Sequence, residues 1–382
     1  MVWARISVIL ARDTSSRPRD RDLLKNWRFW LGVVVSGGLL WWFFHDVDLE
    51  GLGQGFAQAN YLILVWWVVP LAVSYMLRIW RWKLFLDSIH PVKFLNAASG
   101  TMIGFMANGV LPLRAGELIR PYVVTRNSGY KYSSALATVI FVRILDGLVI
   151  MAIFIWMLFL FPFGGMVKMG LAIAVGAVYV TGCLALVFLY YRRDPVAKIL
   201  SLPARLFGKK TREKVREFFV NFGDGLHIFN HKGRLWAAVG LSFAIWGTAV
   251  LSYVPIIQAM PFAGLTPWFA APFTLAYVCL GVVFPSAPGF LGIFEQFGYL
   301  GLTTCAPAIV GVYGEAGKGM AGAFAILLHV TQVLPYIVVG LIFLVREGLS
   351  LGQLQRGRLK EGSGVDAAAA LRDMDDEAGK KQ

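Results

Sequence analysis

Asn108-Gly-Val-Leu-Pro-Leu-Arg-Ala-Gly-Glu-Leu-Ile-Arg120 sets a helix breaker, glycine and three charges at the end of an apolar stretch, 97–111. Val283-Phe-Pro-Ser-Ala-Pro-Gly-Phe-Leu-Gly-Ile-Phe-Glu295 interrupts a second apolar stretch, 268–305, in the same manner. In each, a proline is followed four residues later by glycine, and an acidic residue comes after it. Proline ends or kinks a helix, so each stretch reads as a broken helix rather than a continuous one. A break leaves backbone N–H groups unpaired, and a helix start with free N–H groups favours an anion. Interrupted apolar segments at matching places in two halves of a chain point to a transport site between repeats.

The rest of the sequence says what solvent these breaks sit in. The chain has 382 residues, 57% of them hydrophobic and only 15% charged, against roughly 25% charged in soluble domains. Mean hydropathy is +0.64. Aromatic residues make up 14%, with 13 Trp, which suits the belts at a membrane–water interface. The formal net charge of +14 is gathered in the gaps between apolar runs. That distribution reads as positive-inside topology and contact with anionic headgroups, not as nucleic-acid binding. Cys183, Cys279 and Cys305 lie in or beside apolar segments without metal-ligand spacing, so neither a disulfide framework nor a metal site is expected. The short apolar stretch 6–11 precedes its arginines instead of following them, unlike a signal peptide. A phosphate-binding loop ending in Lys-Ser/Thr is not found, which argues against ATP-driven pumping by this chain. No cofactor is expected.

A bilayer core of about 30 Å takes roughly 20 residues of helix. Runs of that kind are Trp27–Phe44, Tyr61–Leu77, Tyr132–Phe161, Gly170–Tyr191, Leu235–Ile257 and Met320–Val345. The expectation is an all-α polytopic membrane protein with about six transmembrane helices plus two re-entrant or broken helical hairpins in an inverted-repeat-like arrangement. Residues 1–25 read as a basic cytoplasmic segment, 26–350 as the membrane domain and 351–382 as a disordered tail. Arg78, Arg81, Lys83 and Lys93 make the gap after the second run basic, and Arg120, Arg126 and Lys131 do the same after 97–111. Two consecutive basic gaps fit one face, so 97–111 reads as a hairpin dipping in from the cytoplasm. The basic loop 192–234 also belongs inside, with Val215, Phe218, Phe219 and Phe222 spaced for an interfacial helix. The uncharged loop 258–267 belongs outside, and symmetry favours a second dip from there. Both termini are then cytoplasmic, in the inner membrane of a bacterium.

A charge at the centre of a membrane helix costs roughly 2.5–3.5 kcal/mol on insertion scales, so partners are expected. Arg143 and Asp146 stand at i and i+3 on one helix face. Glu295 has no local cation, which leaves Arg114, Arg120 or Arg143 as its expected mates through tertiary contact. His329 and Gln332, also at i and i+3, read as an interhelical hydrogen-bonding pair. The tryptophans at 41, 42, 66, 67, 80 and 82 read as interface or lipid-facing anchors.

Leu111-Pro-Leu-Arg-Ala-Gly-Glu-Leu-Ile-Arg-Pro121, Arg143-Ile-Leu-Asp146 and Phe284-Pro-Ser-Ala-Pro-Gly-Phe-Leu-Gly-Ile-Phe-Glu295 resemble the lysylphosphatidylglycerol synthase transmembrane-region family, also described as flippase-like integral membrane proteins. Arg78-Ile-Trp-Arg-Trp-Lys83 looks like that family's basic aromatic stretch. The resemblance runs from about residue 25 to 350. It departs at Val142, where relatives often carry Glu. It implies lipid handling, in some relatives flipping of an aminoacylated phospholipid ahead of a soluble aminoacyl-transfer domain. About 35 residues follow the last apolar run here, so lysyl transfer is not expected.

The candidate binding residues are Asn108, Arg114, Gly116, Glu117, Arg120, Arg143, Asp146, Pro285, Ser286, Gly289, Gly292 and Glu295. The favoured reading is a flippase or transporter of an anionic phospholipid or polyprenyl-linked lipid, with the headgroup as partner. A membrane enzyme using Glu117 or Glu295 as general base and Arg114 as anion clamp is the alternative. A non-catalytic companion of a biosynthetic enzyme is a third reading, and self-association stays open.

Overall fold

The computed structural model describes residues 27–111, 115–126, 129, 131–160, 177, 180–182, 184–203, 209–282, 287–350 and 352–354. Its regular elements are helices, the form in which a membrane segment satisfies its own backbone. The first half holds α1 (Trp27–Asp46), α2 (Leu49–Gln58), α3 (Tyr61–Leu86, tightened to a 3-10 turn at Val65–Trp67), α4 (Phe94–Val110), α5 (Gly116–Arg126) and α6 (Tyr132–Leu160). Then come α7 (Val180–Tyr191), α8 (Arg193–Leu200) and α9 (Lys209–Asp224). The second half holds α10 (Lys232–Gln258), α11 (Ala270–Val282), α12 (Ile293–Cys305), α13 (Ala308–Tyr313) and α14 (Glu315–Arg346).

Among the described residues four helices are long and apolar enough to cross a membrane: Tyr61–Leu86, Tyr132–Ile153, Lys232–Gln258 and Glu315–Arg346. Helix α1 adds 20 residues, about 30 Å of helix. Of the run expected at 170–191, the stretch Val180–Tyr191 forms a shorter apolar helix. Residues 171–176 lie outside the described set. The second span is longer than its hydropathy predicts. Helix α3 continues past Leu77 to Leu86, because Trp82, Phe85 and Leu86 are fully buried and hold its last turns in the core. Arg78, Arg81 and Lys83 therefore belong to a membrane helix, not to a gap between spans.

The interrupted stretches form two antiparallel hairpins. In the first, Gly100 of α4 meets Val124 of α5, and Gly104 meets Gly116 and Arg120. A Cβ on Gly116 would run into the Gly104 carbonyl, so the arms approach at backbone distance. In the second, Gly281 of α11 faces Phe297 of α12, and Gly301 faces Thr274 and Tyr277. The arms have 17 and 11 residues in the first hairpin and 13 each in the second. At 1.5 Å per residue each falls short of a 30 Å core.

Span, hairpin, span thus occurs twice: α3, α4–α5, α6, and again α10, α11–α12, α14. The copies are inverted. Asn60 at the start of α3 donates its N–H to the Ala259 carbonyl at the end of α10 (2.7 Å). Ser74 donates to the Ile245 carbonyl (3.3 Å), and Arg234 at the start of α10 donates to the Asp87 carbonyl beyond α3 (2.7 Å). The equivalent spans therefore run antiparallel, and their hairpins enter from opposite ends. Their tips meet: a Cβ on Gly289 would lie 3.4 Å from the Gly109 carbonyl. Helix α14 touches both hairpins, through Gly340 on Met106 of α4 and through Leu328 and Ala325 on Gly298 of α12.

Trp41, Trp42, Trp66, Trp80, Trp236 and Trp268 are exposed, as lipid- or interface-facing rings should be. Trp82 departs from that expectation and is fully buried. The amphipathic helix α9 turns Phe222 into the protein core and is tied to α6 by Ser134, whose hydroxyl donates to the Asn221 carbonyl (2.7 Å). Part of the face expected to lie on lipid is therefore covered by protein. At the far end Leu354 is fully buried beside Ile103 and Ile119; residues 355–382 of the expected tail are outside the described set.

Candidate functional site

Behind the first tip, α5 starts at Gly116, whose N–H donates to Asn108 Oδ1 (2.9 Å). The Asn108 amide also donates to Glu117 Oε1 (3.3 Å), so the last turn of α4 holds the first turn of α5. Arg143 of α6 forms an ion pair with the same Glu117 oxygen. Glu117 Oε2 is buried and has no hydrogen-bond partner among the described residues.

One turn along, the Arg120 guanidinium lies over the Trp82 ring at 3.9 Å and donates to Thr101 Oγ1 (3.2 Å). Arg120 is buried, and its Nε has no hydrogen-bond partner among the described residues. A cation under an aromatic face is stabilised, yet none of the described ion pairs is formed by Arg120.

Deeper in α6, Asp146 receives two hydrogen bonds from Arg81 of α3, at 2.6 and 3.1 Å. Arg81 also donates to Ser242 (2.8 Å), and Trp246 donates its indole N–H to Asp146 (3.1 Å). Arg78 sits over the Trp246 ring at 5.0 Å. These groups form one electrostatic unit in which Arg78, Arg81, Arg120 and Arg143 interact with Glu117 or Asp146. Among the described residues, four arginines meet two carboxylates, so this set carries surplus positive charge in a membrane domain.

The second tip has its own cluster. Gly292, at φ 81°, caps α12, and its N–H donates to Glu295 Oε2 (2.8 Å). Glycine is suited to that left-handed conformation. Glu295 Oε1 lies 2.5 Å from His329 Nδ1 on α14. The other imidazole nitrogen, Nε2, donates to the Gly289 carbonyl at the tip (2.7 Å). Phe294 stacks on the ring at 4.9 Å.

Two expectations from the sequence are corrected here. Arg143 and Asp146 share a helix but turn to different mates, Glu117 and Arg81, because helices packed on either side of α6 each offer an opposite charge. Glu295 is not held by Arg120 or Arg143; its side-chain partner is His329. The interhelical hydrogen bonding expected of His329 and Gln332 is present, since Gln332 donates to Ser252 (3.2 Å). Of the candidate residues, Asn108, Gly116, Glu117, Arg120, Arg143 and Asp146 gather at the first tip, and Gly289, Gly292 and Glu295 at the second. Arg114, Pro285 and Ser286 lie outside the described residues. Sequence reasoning missed Arg81, Trp82, Thr101, Ser242, Trp246 and His329 as members. The two i, i+3 pairs were the available signal: Arg143/Asp146 and His329/Gln332 occupy equivalent spans, and the first member of each meets the carboxylate of its own hairpin.

The fold and site together define an integral membrane protein built on an inverted repeat, with ionisable clusters behind opposed hairpin tips. Residues 29–340 match the family described as the lysylphosphatidylglycerol synthase TM region. The chain belongs to that family, which places it among membrane proteins related to lipid handling. No match was found among curated proteins or among solved structures.

Proposed function

We propose that the protein moves an anionic lipid, a phospholipid or a polyprenyl-linked lipid phosphate, between the two leaflets of the membrane. The observation that carries this reading is the arginine surplus behind the first tip. Buried charge is costly without partners, and an anionic headgroup beside Arg120 would supply the missing negative charge. The inverted repeat supports movement over one-sided chemistry, since opposed hairpins let a central site face either side as one half rocks against the other. The basic gaps favour a bacterial cytoplasmic membrane with both termini inside.

Reconstitution into vesicles containing fluorescent anionic or zwitterionic lipid tests the proposal. The expected result is transfer between leaflets that favours the anionic lipid. Arg120→Gln, which retains a donor for Thr101, should weaken that preference, as should Arg114→Ala. Glu295→Gln should abolish movement without loss of expression. Equal movement of both lipid classes by the unaltered protein would remove the headgroup role of the arginines.

A further inference from the structure

The two clusters are equivalent in position but not in chemistry. Each has a carboxylate in the first turn of the returning hairpin arm, Glu117 on α5 and Glu295 on α12. Each carboxylate meets a residue of the following span, Arg143 on α6 and His329 on α14. Arginine does not release its proton in proteins, so Glu117 and Arg143 form a permanent ion pair. Histidine changes charge within the working range of a cell.

The hydrogen bonds around His329 fix how many protons the second pair holds. A carbonyl oxygen only accepts, so the 2.7 Å contact to Gly289 requires a proton on Nε2. The 2.5 Å contact between Nδ1 and Glu295 Oε1 requires another between those atoms. Imidazolium with carboxylate satisfies both bonds, and so does neutral imidazole with carboxylic acid. If one proton leaves, a neutral ring faces a carboxylate and has a single N–H for two acceptors. Charge-assisted bonds are the stronger, so the proton stays with Glu295, and Nε2 turns a lone pair towards Gly289. The tip then loses its tie to α14.

We propose that Glu295 and His329 form a proton-binding site whose occupancy docks the second hairpin tip, and that lipid movement is coupled to the proton there and not at Glu117. The coupling rests on the lipid-transport reading; the site itself rests on the geometry alone. Loss of the proton to water breaks the His329–Gly289 bond, and its return restores it.

Among the described residues, no third ionisable side chain hydrogen-bonds to this pair. Helices α4 and α11 carry no Asp, Glu, Lys, Arg or His. The face of α1 against Gly292 is made by Ser36, Leu39 and Leu40. The nearby phenols and thiol, Tyr277 and Cys279 on α11, Tyr253 on α10 and Tyr299 on α12, are of types whose ordinary pKa lies above neutral pH. Glu315 and Lys318 lie about 21 and 16 Å before His329 along α14. Asp46 and His45 are about 15 Å beyond Ser36 on α1, and Asp48 and Glu50 on α2 lie next to the same end of α14, where Gly51 meets Ala316.

The full chain, labelled with 15N-histidine in lipid nanodiscs, provides one test, with His329 assigned by its absence in His329→Gln. The expected result is a titration of His329 in which Nε2 loses its donated bond while Nδ1 stays protonated beside Glu295. A ring that holds both bonds unchanged across the pH range of the folded protein would overturn the site. In vesicles, anionic-lipid movement should change about tenfold per pH unit on the titrating side of that transition, as one coupled proton requires. His329→Gln combined with Glu295→Gln, which leaves no group in the site that binds a proton, should flatten any residual response to less than about twofold. Movement that ignores pH in the unaltered protein would overturn the coupling. Absence of movement at every pH would remove the transport reading, and the spectra would then decide the proton site alone.

Discussion

Asp146 owes its place inside the membrane domain to Arg81, and the dependence is mutual. Both are almost wholly enclosed, at 4% and 1% exposure, and removal of one partner from such a pair costs about 3–5 kcal/mol. Arg81→Met should destabilise the protein by that amount, while Arg81→Met with Asp146→Leu should recover most of it. Thermal unfolding of the single and double variants in detergent measures both, and a stable single variant would contradict the assignment. Sequence alone suggested the Arg143/Asp146 face from its spacing but not the partners. The i, i+3 rule shows which residues share a face. It cannot show which neighbouring helix comes to meet them. Arg81 was hidden for another reason: hydropathy counts an arginine as an interruption, although here Asp146 neutralises the charge and Ser242 accepts a further hydrogen bond from it.

At the scale of elements, the hairpins were the most legible feature, since proline and glycine state their effect locally. The closeness of the arms was less so, because it depends on which glycines face one another. Gly116 and Gly104 do, and Gly116→Ala should overpack that crossing and destabilise by about 1–3 kcal/mol. Gly53 of α2 has open space where a side chain would go, so Gly53→Ala should be neutral or stabilising by up to about 1 kcal/mol. The same unfolding measurement compares them; equal effects at the two sites would deny the close crossing. The extension of α3 to Leu86 was not legible. Its last turns are held by the buried side chains of Trp82, Phe85 and Leu86, not by uniform apolarity.

At the scale of the whole molecule, the inversion of the two halves predicts opposite exposure for matching loops. In a chain with Cys183, Cys279 and Cys305 replaced by alanine, a cysteine at Lys131 should react with an impermeant reagent from one side of the membrane. A cysteine at Thr266 should react from the other. Labelling of both from the same side would exclude the antiparallel arrangement of α3 and α10. Charge in the gaps already hinted at this layout, because 192–234 is basic and 258–267 is uncharged. The meeting of the tips was beyond sequence, since it needs the packing of the two halves.

Helix α14 bears on both hairpins at once, with Gly340 against α4 and His329 against the second tip, eleven residues apart on one continuous helix. Under the proposed transport reading, a helix shared by the two hairpins works as an interlock, with Pro335, between the two contacts, as a point where it can bend. A shift of the helix along its axis would then be felt at both contacts, which couples the two hairpins. Under that reading, such a linkage would keep a hydrophilic path from opening to both compartments together and so protect the ion gradients that a freely leaking passage would dissipate.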